Sequence, residues 1–250
     1  VVVSPALAVV LVLLTLGAAG TVLAAGLGRA RSVLTAAARA AAQLTLVSLI
    51  LTGVLRSGWL TALFVLLMFG VAALTSAGRL GSRKQVAGTG AAIGTGTAAV
   101  LALIVLTGVI PAKPVAVVPI AGIIIGGAMT ATSLAVNQAL DKLHNRFGEY
   151  EAALSLGLQP RDARMEICRA SARHALIPVL DETRTVGLVT LPGAYVGVLL
   201  GGASPLQAGA AQLLVLISLL SAEALAVLIS IELVACGHLS RVPPANNVLR

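Results

Sequence analysis

Apolar residues run through this chain in blocks of about twenty, separated by short polar breaks. Seven blocks stand out, at 5–27, 36–55, 59–78, 86–110, 114–138, 178–201 and 205–236. Each matches the roughly 20 residues that a helix needs to cross about 30 Å of hydrocarbon. Polar residues do not alternate with apolar ones inside the blocks, which excludes the period-two strands of a membrane barrel. Backbone amides facing lipid must be bonded within their own segment, so each block is read as helix.

Only one break is long. Residues 139–177 carry a charged segment between the fifth and sixth blocks. Helical character continues from the fifth block through Asp141, Lys142 and Leu143 to Leu156. Gly157 interrupts it, and Pro160 is suited to open a second helix running to about Leu176, with Pro178 starting the sixth block. The pattern predicts a helix, a tight break and a second helix. The blocks and this insert together form a single domain over residues 1–250.

Composition agrees. Hydrophobic residues make up 58% of the chain and charged residues 10%, with a mean hydropathy of +1.02. A soluble domain carries about 25% charged residues, so this chain could not cover a water-facing surface. The fold class is an all-α, polytopic helical membrane protein of about seven spans.

The 17 Lys and Arg residues set its orientation. With the N-terminus outside, the inner loops hold Arg29, Arg31, Arg79, Arg83, Lys84, Lys142, Arg146, Arg161, Arg164, Arg169, Arg173, Arg241 and Arg250. The outer loops hold only Arg56 and Lys113, and Arg39 and Arg184 lie in or at the ends of spans. This asymmetry predicts N-out, C-in, with the insert in the cytoplasm. Topology and an anionic inner leaflet account for the net charge of +8 without a nucleic-acid partner. The first block lacks a basic stretch before it and is expected to be a retained helix. Cys168 and Cys236 fall on the inner side as free thiols, and His144, His174 and His238 are too scattered for a zinc site.

Glycine patterns here belong to helix packing. GTGAAIG at 88–94 follows no strand and sits in an apolar helix, so it is no dinucleotide fingerprint, and the chain has no P-loop. Gly122 with Gly126, and Gly193 with Gly197 and Gly201, have the spacing of helix-contact faces. Ser204-Pro205-Leu206-Gln207 is a capping box that starts the last span. Pro192, followed by Gly193, lies mid-way along the sixth block. It marks either a kinked packing helix or a broken helix that lines a path.

Polar groups within the spans need a reason, since a charge at a helix centre costs about 3 kcal/mol on insertion scales. Glu223 lies deep in the last span and is the best candidate for a metal contact. Glu232 is near the inner interface, where solvation suffices. Asp181 and Glu182, just after Pro178, are expected to complement a helix N-terminus, with Asp181 pairing with Arg184. Ligation by these two is the alternative. Arg39 sits one turn into its span and can snorkel. Gln43, Met129 and Asn137 are candidate path-facing groups, Met129 for a soft ion.

Within the insert, Glu151-Ala152-Ala153, three residues, Gly157, nine residues and Ile167 resemble the EAA-x3-G-x9-I motif of ATP-binding-cassette permeases. Arg169-Ala170 stands where many members have Leu-Pro. The segment Arg39-Ala40-Ala41-Ala42-Gln43-Leu44, the run PIAGIIIGGAMTATSLAVNQ at 119–138 and the run TVGLVTLPGAYVGVLLGGASPLQAGAAQ at 185–212 are similar to FetB-like iron-export permeases, relatives of the plant aluminium-tolerance permeases. The likeness extends over nearly the whole chain.

The resemblance implies a non-enzymatic permease of the bacterial cytoplasmic membrane, likewise present as two copies. A separate ATPase subunit would carry ATP and Mg and dock on residues 149–158, through Glu149, Glu151, Ala152, Leu154 and Gly157. This chain would hold no cofactor of its own, and its cargo would be a metal ion such as iron or another small solute. An importer permease, an exporter of another solute and a non-transporting membrane anchor are the rival readings. A secondary transporter would show an inverted repeat and paired intramembrane acids, and a membrane enzyme would show a polar catalytic cluster.

Overall fold

The computed structural model describes residues 4–54, 57–111 and 113–240. Arg56, Arg241 and Arg250, which entered the charge argument, lie outside the described residues. The chain divides into two compact units, Val1–Leu60 and Thr61–Arg250.

The first unit pairs α1 (Pro5–Ala24) with α2 (Ala30–Val54). Ser4 caps α1 by accepting from the Leu7 amide, and Pro5 occupies the first turn, where a missing N–H is harmless. Gly26, at φ +64°, turns the chain toward α2. Leu11, Leu13, Leu14, Leu44 and Leu49 are all exposed, an apolar surface suited to lipid.

The second unit takes most of α3 (Gly58–Arg79), a single 3-10 turn (Arg83–Gln85), α4 (Val86–Leu106), α5 (Pro114–Asn145), α6 (Phe147–Ser155), α7 (Pro160–Thr185), α8 (Gly193–Leu200) and α9 (Pro205–Ala235). The hub is α9, which packs against α4, α5, α7 and α8. Its start is the predicted capping box, with Ser204 and Gln207 each bonded to the other's backbone.

Small residues let these helices close up. On α4 the buried positions Thr89, Ala92, Ile93, Gly96, Thr97, Val100 and Ile104 form one stripe at helical spacing. A Cβ at Gly96 would lie 2.3 Å from the Ala222 carbonyl oxygen. Hydroxyls add links between helices: Ser76 and Ser133 approach to 3.0 Å between α3 and α5, and Thr89 donates to the Ala73 carbonyl at 3.1 Å. The expected glycine faces are not the close ones. A Cβ at Gly126, Gly193 or Gly197 would meet nothing within 4 Å, and one at Gly122 would meet the tip of Met68.

The segment expected as the sixth span, 178–201, is not one helix. Pro178 lies inside α7, which continues from the insert to Thr185. The chain then breaks: Gly187 has φ +84°, Val186 and Thr190 form a lone β-bridge, and Pro192 caps α8. By sequence Pro178 reads as a helix start, but a proline removes one donor without always ending a helix. The true break needs a left-handed residue, which Gly187 supplies. At eight residues α8 spans about 12 Å and cannot cross the hydrocarbon alone. Among the described residues six helices are long and apolar enough to cross: α1, α2, α3, α4 with its leading turn, α5 and α9.

Candidate functional site

The charged insert forms the hairpin that the sequence predicts. At its start Arg146 donates from Nε to Glu149 at 2.6 Å, which keeps the Glu149 carboxyl below the ordinary range. Both groups are exposed. The Phe147 and Tyr150 rings lie 5.7 Å apart, and the Arg164 guanidinium sits 5.6 Å from the centre of the Tyr150 ring. This cation–π contact joins α6 to α7. Gly157 ends the first arm at φ +88°, with its N–H on the Leu154 carbonyl and the Leu158 N–H on the Ala153 carbonyl. These bonds satisfy the last carbonyls of α6, and the left-handed position explains the glycine.

The outward face of the hairpin is mixed. Glu149, Glu151 and Ala152 are exposed and Leu154 is half-buried. Leu156, at 82% exposure, and Phe147, at 54%, present apolar surface beside these charges. Behind the hairpin, Arg161 donates to Glu232 at 2.7 Å and to Asp162 at 2.9 Å. Arg164 reaches the Ala235 carbonyl at 3.2 Å, where a cation complements the end of α9. Two arginines one turn apart thus tie the hairpin to α9. Sequence reasoning left Glu232 to solvation, because its partner lies 71 positions away.

A second feature lies between α5, α7 and α9. A cavity of about 370 Å³ is lined by Gly126, Gly127 and Thr130 of α5, Pro178 and Glu182 of α7, and Leu219 and Glu223 of α9. Glu182 and Glu223, two of the predicted path residues, therefore share one chamber. They do so for a reason the sequence misread. Asp181 and Glu182 lie in the final turns of α7, where the helix dipole disfavours acids, not at a helix start. Asp181 pairs with Arg184 at 3.5 Å on the surface, as expected. Glu182 is left to the cavity.

The other candidates go elsewhere. Met129 packs with the cluster of Ala72, Ile93 and Ala226, so its role is packing. Asn137 donates to the Ser133 carbonyl of its own helix at 2.9 Å. Arg39 and Gln43 are exposed on α2, in the first unit. Pro192 lines a separate cavity of about 360 Å³ with Tyr195 and Gln212. Gln212 was missed, although it is buried and its Oε1 has no hydrogen-bond partner among the described residues. A lone Gln within an apolar run was the available signal. Among the described residues, no three His, Cys, Asp or Glu side chains gather in one place.

Comparison with known proteins places the sequence in a family. The uncharacterised protein family UPF0014 matches residues 3–237. Protein ALUMINUM SENSITIVE 3 of Arabidopsis thaliana is 40% identical over 162 residues, 64% of this chain and 59% of that protein. The membrane protein STAR2 of Oryza sativa is 35% identical over 209 residues, 82% of this chain and 73% of that protein. The probable iron export permease protein FetB of Escherichia coli is 39% identical over 139 residues, 56% of this chain and 54% of that protein. The matches thus span little more than half the length of the first and third of these relatives. No solved structure matches the chain. The resemblance to FetB-like permeases is borne out, and the chain, a multi-pass membrane protein, belongs to the UPF0014 family.

Proposed function

We propose that this chain is the permease subunit of an ATP-binding-cassette transporter that exports metal ions from a bacterial cytoplasm. The observation that carries the reading is the hairpin. A nine-residue helix with charged and apolar exposed groups ends at a left-handed glycine and leads into α7, whose first arginines bond to a long apolar helix. That is a surface suited to receive a push and pass it on. The similarity to a probable iron export permease supports metal export.

In this reading residues 139–177 lie in the cytoplasm, the N-terminus lies outside, and two permease copies pair with two ATPase subunits. The ATPase binds ATP and Mg and seats α6 in a groove, against Glu149, Glu151, Ala152 and Leu154. Movement of α6 enters α7 through the Arg164–Tyr150 contact and through the short turn at Gly157. Because α7 forms one wall of the cavity that holds Glu182 and Glu223, a shift of α7 changes that cavity's shape and access.

The test is reconstitution. The chain is purified with its co-encoded ATPase, placed in vesicles and supplied with ATP and candidate metal ions. ATP-dependent movement of a metal toward the side opposite the ATPase is expected. No complex with the ATPase, or transport only in the opposite direction, would overturn the reading.

A further inference from the structure

We infer that the cavity between α5, α7 and α9 binds one divalent metal cation, held by the carboxylates of Glu182 and Glu223 with the hydroxyl of Thr130. The inference rests on the export reading and supplies that reading with a cargo site.

Glu223 carries the argument. It is only 8% exposed, and it lines the cavity. Among the described residues no hydrogen bond or ion pair reaches its carboxylate. None of the residues lining the cavity is basic, and α9 has no Lys, Arg or His at all. A buried carboxylate without a donor or a cation is strongly disfavoured, and within a membrane such groups mark ion pathways.

The space around it is made by a glycine. A Cβ at Gly127 would sit 2.5 Å from Glu223 Oε1 and 2.3 Å from Leu219 Cδ1. The carboxylate therefore lies against bare backbone of α5. Any side chain at position 127 would push it aside. One turn further along α5, Thr130 lines the same cavity, its hydroxyl donating to the Gly126 carbonyl at 3.0 Å. With its proton so used, the oxygen of this cavity-lining residue is left as an acceptor. Glu182, exposed in the last turns of α7, brings the second negative charge to the chamber.

The chemistry of this set defines the ligand class. It is all oxygen, without thiolate or imidazole, and so suits divalent ions such as Mn²⁺ or Fe²⁺ over soft Cu(I). Three protein oxygens leave the rest of the coordination shell to water, which a cavity of about 370 Å³ has room to hold. A cargo ion must leave as well as enter, so an incomplete protein shell fits transport better than a closed cage. Around the buried Glu223 the apolar neighbour Leu219 keeps the local dielectric low and strengthens the attraction of that carboxylate for a cation.

The test needs no ATPase. The full chain in detergent or nanodiscs is titrated with Mn²⁺, and free ion is read by electron paramagnetic resonance. One saturable site per chain is expected. Glu223→Gln and Glu182→Gln should each weaken it by at least the roughly 10–100-fold that loss of an outer-shell partner produces. Glu166→Gln, which removes an equal charge elsewhere on α7, should leave the affinity unchanged. Glu182 is exposed, so its variant keeps the test decisive even if Glu223→Gln fails to fold. Absence of saturable Mn²⁺ binding, or an affinity unaltered in Glu182→Gln, would overturn the site. Neither result depends on ATPase docking, which variants in α6 test separately.

Discussion

Arg161, in the first turn of α7, grips Glu232 near the end of α9 through its Nε at 2.7 Å, with a second nitrogen on the same carboxylate oxygen. The pair joins the arm of the hairpin that follows Gly157 to the helix that carries Glu223. Both side chains are partly solvent-exposed, so the pair adds only about 0.2–1 kcal/mol to stability. On the proposed function its value is mechanical, since it links α7 to α9.

Breaking that pair should uncouple the protein more than it destabilises it. Arg161→Ala and Glu232→Gln are each expected to fold, with little change in melting temperature, and to retain ATPase binding. ATP turnover should then proceed with reduced metal transport. The exchange Arg161→Glu with Glu232→Arg should recover part of the lost transport. Full transport in both single variants would assign the pair to the surface alone.

On the proposed function, Gly157 is a second point of transmission. At φ +88° an alanine is strained by about 1 kcal/mol or more, and a proline cannot adopt the angle. Since no residue of α6 is buried, neither change should disturb membrane insertion. Gly157→Ala should weaken capture of the ATPase in a co-purification assay, and Gly157→Pro should abolish it. A Gly157→Pro complex of normal yield and transport would remove α6 from the coupling route.

These two features differ in how far the sequence revealed them. The Gly157 break follows from local chemistry, as does the Ser204 capping box, because each is set by neighbours within four residues. The apolar blocks of α1 to α5 and α9 were legible for the same reason: length and composition decide them. The Arg161–Glu232 pair was not, since nothing local relates positions 71 apart. The break after α7 was misplaced because Pro178 carries a helix-start signal, while Gly187 looks like any other glycine of an apolar block, and the fate of Glu182 was misread with it. Gly96 and Gly127 were hidden among 26 glycines, because only the facing helix reveals which glycine is crowded.

The two cysteines should report burial and sidedness together. Cys168 is fully buried, and its surroundings push the thiol up to about 11, whereas Cys236 is exposed. Thiolate is the reactive form, so a maleimide at neutral pH should modify Cys236 and spare Cys168 until detergent unfolds the chain. On the proposed topology a membrane-impermeant reagent should reach Cys236 only from the cytoplasmic face. A raised folded pKa also means that stability is present below the ordinary thiol value of 9.0 and is lost as pH rises toward 11. In Cys168→Ser that part of the alkaline fall in melting temperature should be smaller. Rapid labelling of Cys168 in the folded protein would contradict its burial.

Two glycine-to-alanine changes should separate fold from site. A Cβ at Gly96 meets the Ala222 carbonyl at 2.3 Å and the Ala226 nitrogen at 3.3 Å, both of them backbone. Helix backbone cannot step aside, so Gly96→Ala must force α4 and α9 apart. Overpacking of this kind typically costs about 1–3 kcal/mol, and a backbone clash lies at the upper end. A Cβ at Gly127 meets only the ends of two flexible side chains, Leu219 and Glu223. Those ends can rotate, so Gly127→Ala should fold with a melting temperature near that of the wild type. What it displaces is the Glu223 carboxylate. Mn²⁺ affinity should therefore fall in Gly127→Ala while monodispersity on gel filtration is retained, and Gly96→Ala should lose both. Equal thermal losses in the two variants would mean that Gly127 serves packing and not the cavity.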